Sequence, residues 1–186
     1  MEILIRPAQQ GSQRRTWADV PDAAPLVVDA WEKRNNIPVP PDYRRFITKY
    51  NGGRVYPPMF RYTVPIDKYP STEPVTYLDP LYDWSYIEEI WNGGVFNGRN
   101  PPQMLMIGSD PGGLEILLSL REEDYGKIYT WLHSLSGWGE EGNDAIYLLA
   151  SSFREFMDSL YDNETRDGYT HWHRLGLAHL ERKLEF

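Results

Sequence analysis

The residues of this chain best suited to hold a metal ion are four histidines, His133, His171, His173 and His179. In an extended strand His171 and His173 would share one face and could chelate. The stretch from about Thr170 to Lys183, with Trp172, Leu175, Ala178 and Leu184 inward, reads as helix instead. There the two rings lie roughly 200° apart around the axis and cannot share an ion. Carboxylates cluster at Glu88-Glu89, at Glu122-Glu123-Asp124 and at Glu140-Glu141. Paired acids do general acid–base work only where burial pushes their pKa values apart, and these runs fall in apparent loops or on polar helix faces, so solvated surface is the expectation. Gly108-Ser109-Asp110-Pro111-Gly112-Gly113 has the look of a phosphate cradle but lacks the following Lys-Ser/Thr, and a strand comes next, so it reads as a chain reversal. Ser151-Ser152 has no evident histidine partner, and helix capping explains it. Asn163-Glu164-Thr165 matches a glycosylation sequon, relevant only to a secreted chain. No catalytic, cofactor-binding or metal-ligating residue is therefore assigned, although a site assembled from separate segments would leave no such motif.

The elements that would position any site belong to one domain of 186 residues, long enough to bury a core without staples. Cysteine is absent, which removes disulfides and Cys-based zinc sites. The opening Met1-Glu2-Ile3-Leu4-Ile5-Arg6-Pro7 is too short an apolar patch for a signal peptide or a membrane span, so a soluble, cytoplasmic protein is expected. The net charge of −8 disfavours nucleic acid as a direct ligand. It either keeps the protein soluble or draws in a basic partner such as a nuclease toxin.

Along the chain, residues 1–21 read as a short edge strand followed by a polar turn. Asp22 caps a helix reaching Arg34, with Leu26, Val27, Ala30 and Trp31 on its inner side, closed by Asn35 and Asn36. A second helix has a hard start at Pro40-Pro41 and a hard stop at Asn51-Gly52. Between them Tyr43, Phe46, Ile47 and Tyr50 recur at helical spacing. A strand from Arg54 ends at Tyr56-Pro57-Pro58, and Arg61–Ile66 and Pro74–Leu78 are strand candidates. Asp83 caps a short helix holding Trp84, Ile87, Ile90 and Trp91. Apolar runs at 104–107 and 114–118 flank the Asp110-Pro111-Gly112-Gly113 turn, and a third strand covers 126–131. A flexible loop spans 136–143. A β-prone run from Ile146 then passes into a capping box, Ser152 with Glu155, and a helix with Phe153, Phe156, Met157 and Leu160 inward. Helices at both ends with strands between them argue an α+β domain.

Taken in order, Pro41 to Gly53, Ile107 to Gly113, Gly126 to Tyr129 and Ala150 to Leu160 resemble the SUKH superfamily of fungal cell-wall assembly regulators and bacterial toxin immunity proteins. Its outline is a helix ending in Asn-Gly-Gly, an Ile-Gly-x-Asp-x-x-Gly turn, a Gly-x-Val/Ile-Tyr strand and an Ala-x-Ser-Phe-x-x-Phe helix. The acidic residue often following the turn glycine is Leu114 here, with Glu115 after it. The resemblance implies one α+β domain over 1–186, its core about 25–160, with a mostly antiparallel or mixed central sheet against which the N- and C-terminal helices pack. Residues 161–186 are a C-terminal helical extension beyond that core.

The resemblance also implies a non-catalytic immunity protein that neutralises a cognate toxin by stoichiometric binding. A regulatory scaffold of the same family is the alternative, and the absence of long flanks favours the single-domain immunity type. An enzyme or small-molecule-binding protein built around the aromatic-rich 54–91 region is the contrasting class. Interfaces concentrate their energy in Trp and Tyr anchors, so two patches are candidates for partner binding: Trp84 and Tyr86 beside Glu88 and Glu89, and Trp138 beside Glu140 and Glu141.

Overall fold

The computed structural model describes residues 3–7, 17, 25–63, 74–132, 137–162 and 182–186. Among these residues four helices, α1 (Pro25–Asn35), α2 (Pro41–Tyr50), α3 (Trp84–Trp91) and α4 (Phe153–Asp158), are interleaved with nine strands. The strands are β1 (Leu4–Arg6), β2 (Arg54–Tyr56), β3 (Met59–Arg61), β4 (Val75–Tyr77), β5 (Met104–Ser109), β6 (Leu114–Ser119), β7 (Ile128–Leu132), β8 (Tyr147–Ala150) and β9 (Arg182–Lys183). They form a β5-β6-β7-β8 sheet, a β2-β1-β9 sheet and a β3-β4 hairpin, with every named pair antiparallel. Leu81 bridges Gly53 on one side and Gly108 on the other, so a single residue joins the two larger sheets. This is the α+β domain that the sequence implies.

Alternation along β6 divides the molecule into two layers. Leu114, Ile116 and Leu118 face a large core with Leu105, Ile107 and Ile128, covered by Val28 and Trp31 of α1, Tyr43, Phe46 and Ile47 of α2, and Phe153 and Phe156 of α4. Leu117 faces the other way, into a small core with Met104, Met106, Trp131 and Ile90. Aromatic rings hold the large core together. Phe153 meets Tyr43 edge-on at 4.9 Å between centroids and Phe46 at the same distance, which ties α2 to α4.

The helix boundaries follow their local chemistry. Pro41 opens α2, and Asn51, left-handed at φ 49°, closes it with its N–H on the Ile47 carbonyl. Ser152 accepts from the Glu155 N–H as the expected cap, while the Glu155 side chain reaches back one residue further, to the Ser151 N–H, to open α4. Asp83 accepts from the Tyr86 N–H at the start of α3. In the 108–113 turn Asp110 Oδ1 accepts from the N–H groups of Gly112 and Leu114, as a chain reversal requires.

Several expectations need correction. The strand expected to begin at Arg61 instead ends there, since β3 covers Met59–Arg61. On α1 the inner side is Val28 and Trp31, while Leu26 is 77% exposed and Val27 and Ala30 also face solvent. Trp31 sets that rotation, because it packs between Trp84 and Trp91 of α3. β1 is the middle strand of its sheet, not an edge, since β9 pairs with its free side. For the same reason Arg182 and Lys183 are strand where a helix was expected, although Leu184 does point inward. Asp124 is buried, 7% exposed, within an acidic run that reads as solvated. The expected Asp22 cap, the histidines, the sequon and the 170–181 helix lie outside the described residues.

Candidate partner-binding surface

α3 presents one side to the core and the other to solvent. Trp84, Ile87 and Ile90 are buried at helical spacing, which leaves Tyr86 and Glu89, three residues apart, facing out. What fixes this helix is its approach from residues 79–83. That segment is hydrogen-bonded on both sides. Gly53 and Leu81 exchange N–H···O bonds of 2.9 and 2.8 Å, and Tyr82 donates its N–H to the Ile107 carbonyl at 2.9 Å. Asn51 Oδ1 then accepts from the Trp84 N–H at 2.8 Å.

Two glycines permit the approach. A Cβ on Gly52 (φ 81°) would lie 2.5 Å from the Tyr82 carbonyl oxygen, and one on Gly108 would lie 2.8 Å from the Pro80 carbonyl oxygen. Both distances are below van der Waals contact. The Asn-Gly-Gly and Ile-Gly motifs thus act together: they clamp one segment between them and so set the position of Tyr82 and α3.

Tyr82 and Tyr86 stack at right angles, 4.9 Å between centroids. The Tyr82 hydroxyl donates to Glu115 Oε2 at 2.9 Å. Glu115 is 3% exposed, on the same sheet face as the small core and opposite Trp131 in the β6–β7 register. Burial, and next the Glu115 carboxylate, push the Tyr82 hydroxyl pKa up. Tyr86 is pushed up as well, by partial burial and then by Glu115 and Glu89. Two carboxylates therefore act on one exposed ring, since Tyr86 is 38% accessible.

Of the residues expected on this patch, Trp84 is the correction. At 2% exposure it belongs to the large core, edge-on to Trp31, and offers no surface anchor. Glu88 is half-buried and pairs with Arg34 of α1. Glu89 remains exposed and has no ion-pair partner among the described residues.

The second patch borders the same small core. Trp138 packs against that core, edge-on to Trp131 at 6.1 Å, and is half-buried. Its loop is pinned: Trp138 donates its N–H to the Arg99 carbonyl at 3.1 Å, and Glu140 pairs with Arg99 while accepting from the Gly137 N–H. Glu141 is exposed in a left-handed turn, φ 48°. Tyr82 and Trp138 both cover this one small core, so two patches more than fifty residues apart in sequence flank a common feature.

Tyr82 and Glu115 were not singled out from the sequence. A signal existed: Glu115 is the one charged residue in the run Leu114-Glu115-Ile116-Leu117-Leu118, where a strand buried on both faces would carry none. A second exposed aromatic, Tyr125, donates to the Pro38 carbonyl. Partial burial, and then Glu32 and Asp42, raise its pKa.

Among the described residues no group of three or more His, Asp or Glu converges as a metal site would require, and no helix is long and apolar enough to cross a membrane. A single α+β scaffold thus leaves Tyr86 and Glu89 on the outer side of a clamped helix. The model of the SMI1 / KNR4 family (SUKH-1) matches residues 23–159, and the chain belongs to that family. Proteins of the superfamily generally act by contact with other proteins. Comparison with individual curated proteins finds no match for the chain.

Proposed function

We propose that this protein is a non-catalytic binding domain that neutralises a cognate toxin, a basic nuclease, by occupying it stoichiometrically. Membership of the SUKH family supports a protein partner, and the net charge of −8 supports a basic one. The observation that carries the reading is the exposed Tyr86 ring, edge-on to Tyr82 on a clamped helix whose Glu89 is exposed three residues on. A preorganised aromatic anchor loses little conformational entropy on binding. Complementary charge around it raises the association rate. The cytoplasm, where such a toxin would be met before it reaches nucleic acid, is the proposed location.

Co-expression with the neighbouring reading frame of the same genome tests this. The toxic neighbour should be rescued by this protein in a growth assay and should co-purify with it. Equal killing with and without this protein would contradict the proposal.

A further inference from the structure

The Tyr82–Tyr86 corner combines features that select for one kind of side chain. Tyr86 stands against Tyr82 at 87° and remains accessible. A tyrosine face carries a negative quadrupole and attracts cations, arginine above all. Beneath the ring pair lies the Glu115 carboxylate, bonded to the Tyr82 hydroxyl and shielded from solvent, where its field is weakly screened. At the rim Glu89 is exposed, three residues along the same helix face as Tyr86. The neighbouring acid on the same helix, Glu88, is already matched by Arg34.

We infer that the corner formed by Tyr82, Tyr86, Glu89 and Glu115 is a receptor for an arginine side chain presented by a protein partner. The guanidinium lies on the Tyr86 ring and its donors point towards the Glu89 carboxylate, with Glu115 reinforcing the negative potential from below. This rests on the partner-binding reading and adds to it the place and the chemistry of the central contact.

A triarginine peptide titrated into the full-length protein tests the inference without any toxin, followed by amide chemical shifts in NMR. The expected result is saturable shifts centred on Tyr86, Glu89 and Glu115, weakened by salt. Tyr86→Ala and Glu89→Gln should each weaken binding about three- to fivefold, the size of an exposed cation–aromatic or ion-pair contact. Tyr86→Phe keeps the ring and should bind like wild type, which also separates loss of contact from loss of fold. Shifts centred on Tyr125, shifts that never saturate, or equal binding by Tyr86→Ala would overturn the inference. If the peptide binds as expected while the toxic neighbour still kills, the toxin assignment fails and the arginine receptor stands. If rescue succeeds and Tyr86→Ala binds the toxic neighbour with the affinity of wild type, the receptor fails and the immunity reading stands.

Discussion

Asp124 collects hydrogen bonds from the Ser119 hydroxyl, from Arg121 through Nε at 3.1 Å and Nη2, and from the Tyr129 hydroxyl at 2.6 Å. Burial alone would raise its carboxyl pKa, but the bonds from Arg121, Ser119 and Tyr129 overcome it and hold the pKa at about 2. The folded pKa lies below the ordinary value of 3.8, so the contribution to stability is fully present above that value and is lost as the pH falls through about 2. Asp124→Asn should therefore cost about 2 kcal/mol at neutral pH, the scale of breaking a buried charge-assisted network. Urea unfolding at a series of pH values checks this: the gap between variant and wild type should close between pH 4 and pH 2. A gap independent of pH would mean the carboxylate charge contributes nothing. Tyr86 belongs to the same scale with the opposite expectation. Its side chain is partly exposed, so Tyr86→Phe should leave stability within about 0.5 kcal/mol of wild type in the same experiment.

At the scale of elements, the decisive feature is the 79–83 segment held between α2 and β5. Gly108→Ala would drive a methyl group into the Pro80 carbonyl, and at that distance the backbone must move. The expected loss is about 1–3 kcal/mol in denaturant unfolding, comparable with overpacking a rigid core. Because the same segment carries Tyr82 and leads into α3, partner affinity should fall with it. An unchanged melting temperature would show that the clamp is loose.

Much of this level was legible in the sequence. α2, α3 and α4 carry their own caps and apolar spacing, so Pro41, Asn51, Asp83 and Ser152 mark their ends correctly. The rotation of α1 was not legible. Leu26, Val27, Ala30 and Trp31 make as good a stripe as Val28 and Trp31, and only the tertiary packing of Trp31 against α3 decides between them. What the two glycine motifs do together was equally hidden. Each reads as an ordinary turn, and their common role appears only when Gly52 and Gly108, far apart in sequence, meet the same carbonyl-bearing segment.

Across the whole molecule the chain ends meet. β9 completes the sheet beside β1, Leu184 donates its N–H to the Ile3 carbonyl at 2.8 Å, and the Tyr50 hydroxyl both donates to the Lys183 carbonyl and accepts from the Glu185 N–H. A two-residue strand has almost no local signature, which is why residues 182–183 merge with the helical pattern before them and β1 looks like an edge. Tyr50→Phe removes both bonds and should destabilise by about 1–2 kcal/mol, while removal of residues 182–186 should cost more because Leu184 loses its burial. Thermal unfolding of the two variants tests this order, and a truncation as stable as wild type would show that β9 adds nothing. The candidate site was half legible at this scale. Tyr86 and Glu89 are exposed as expected, but Trp84 serves the core, and the buried Glu115 lay outside both patches.

The central claim is that the protein works as a passive partner, one molecule occupying one target. The most direct measurement titrates it against a fixed amount of the purified toxic neighbour while the toxic activity is followed. Activity should fall linearly and vanish at equimolar protein, with both chains recovered intact as a complex. Complete loss of activity at a small fraction of an equivalent would mean turnover, and would contradict the account.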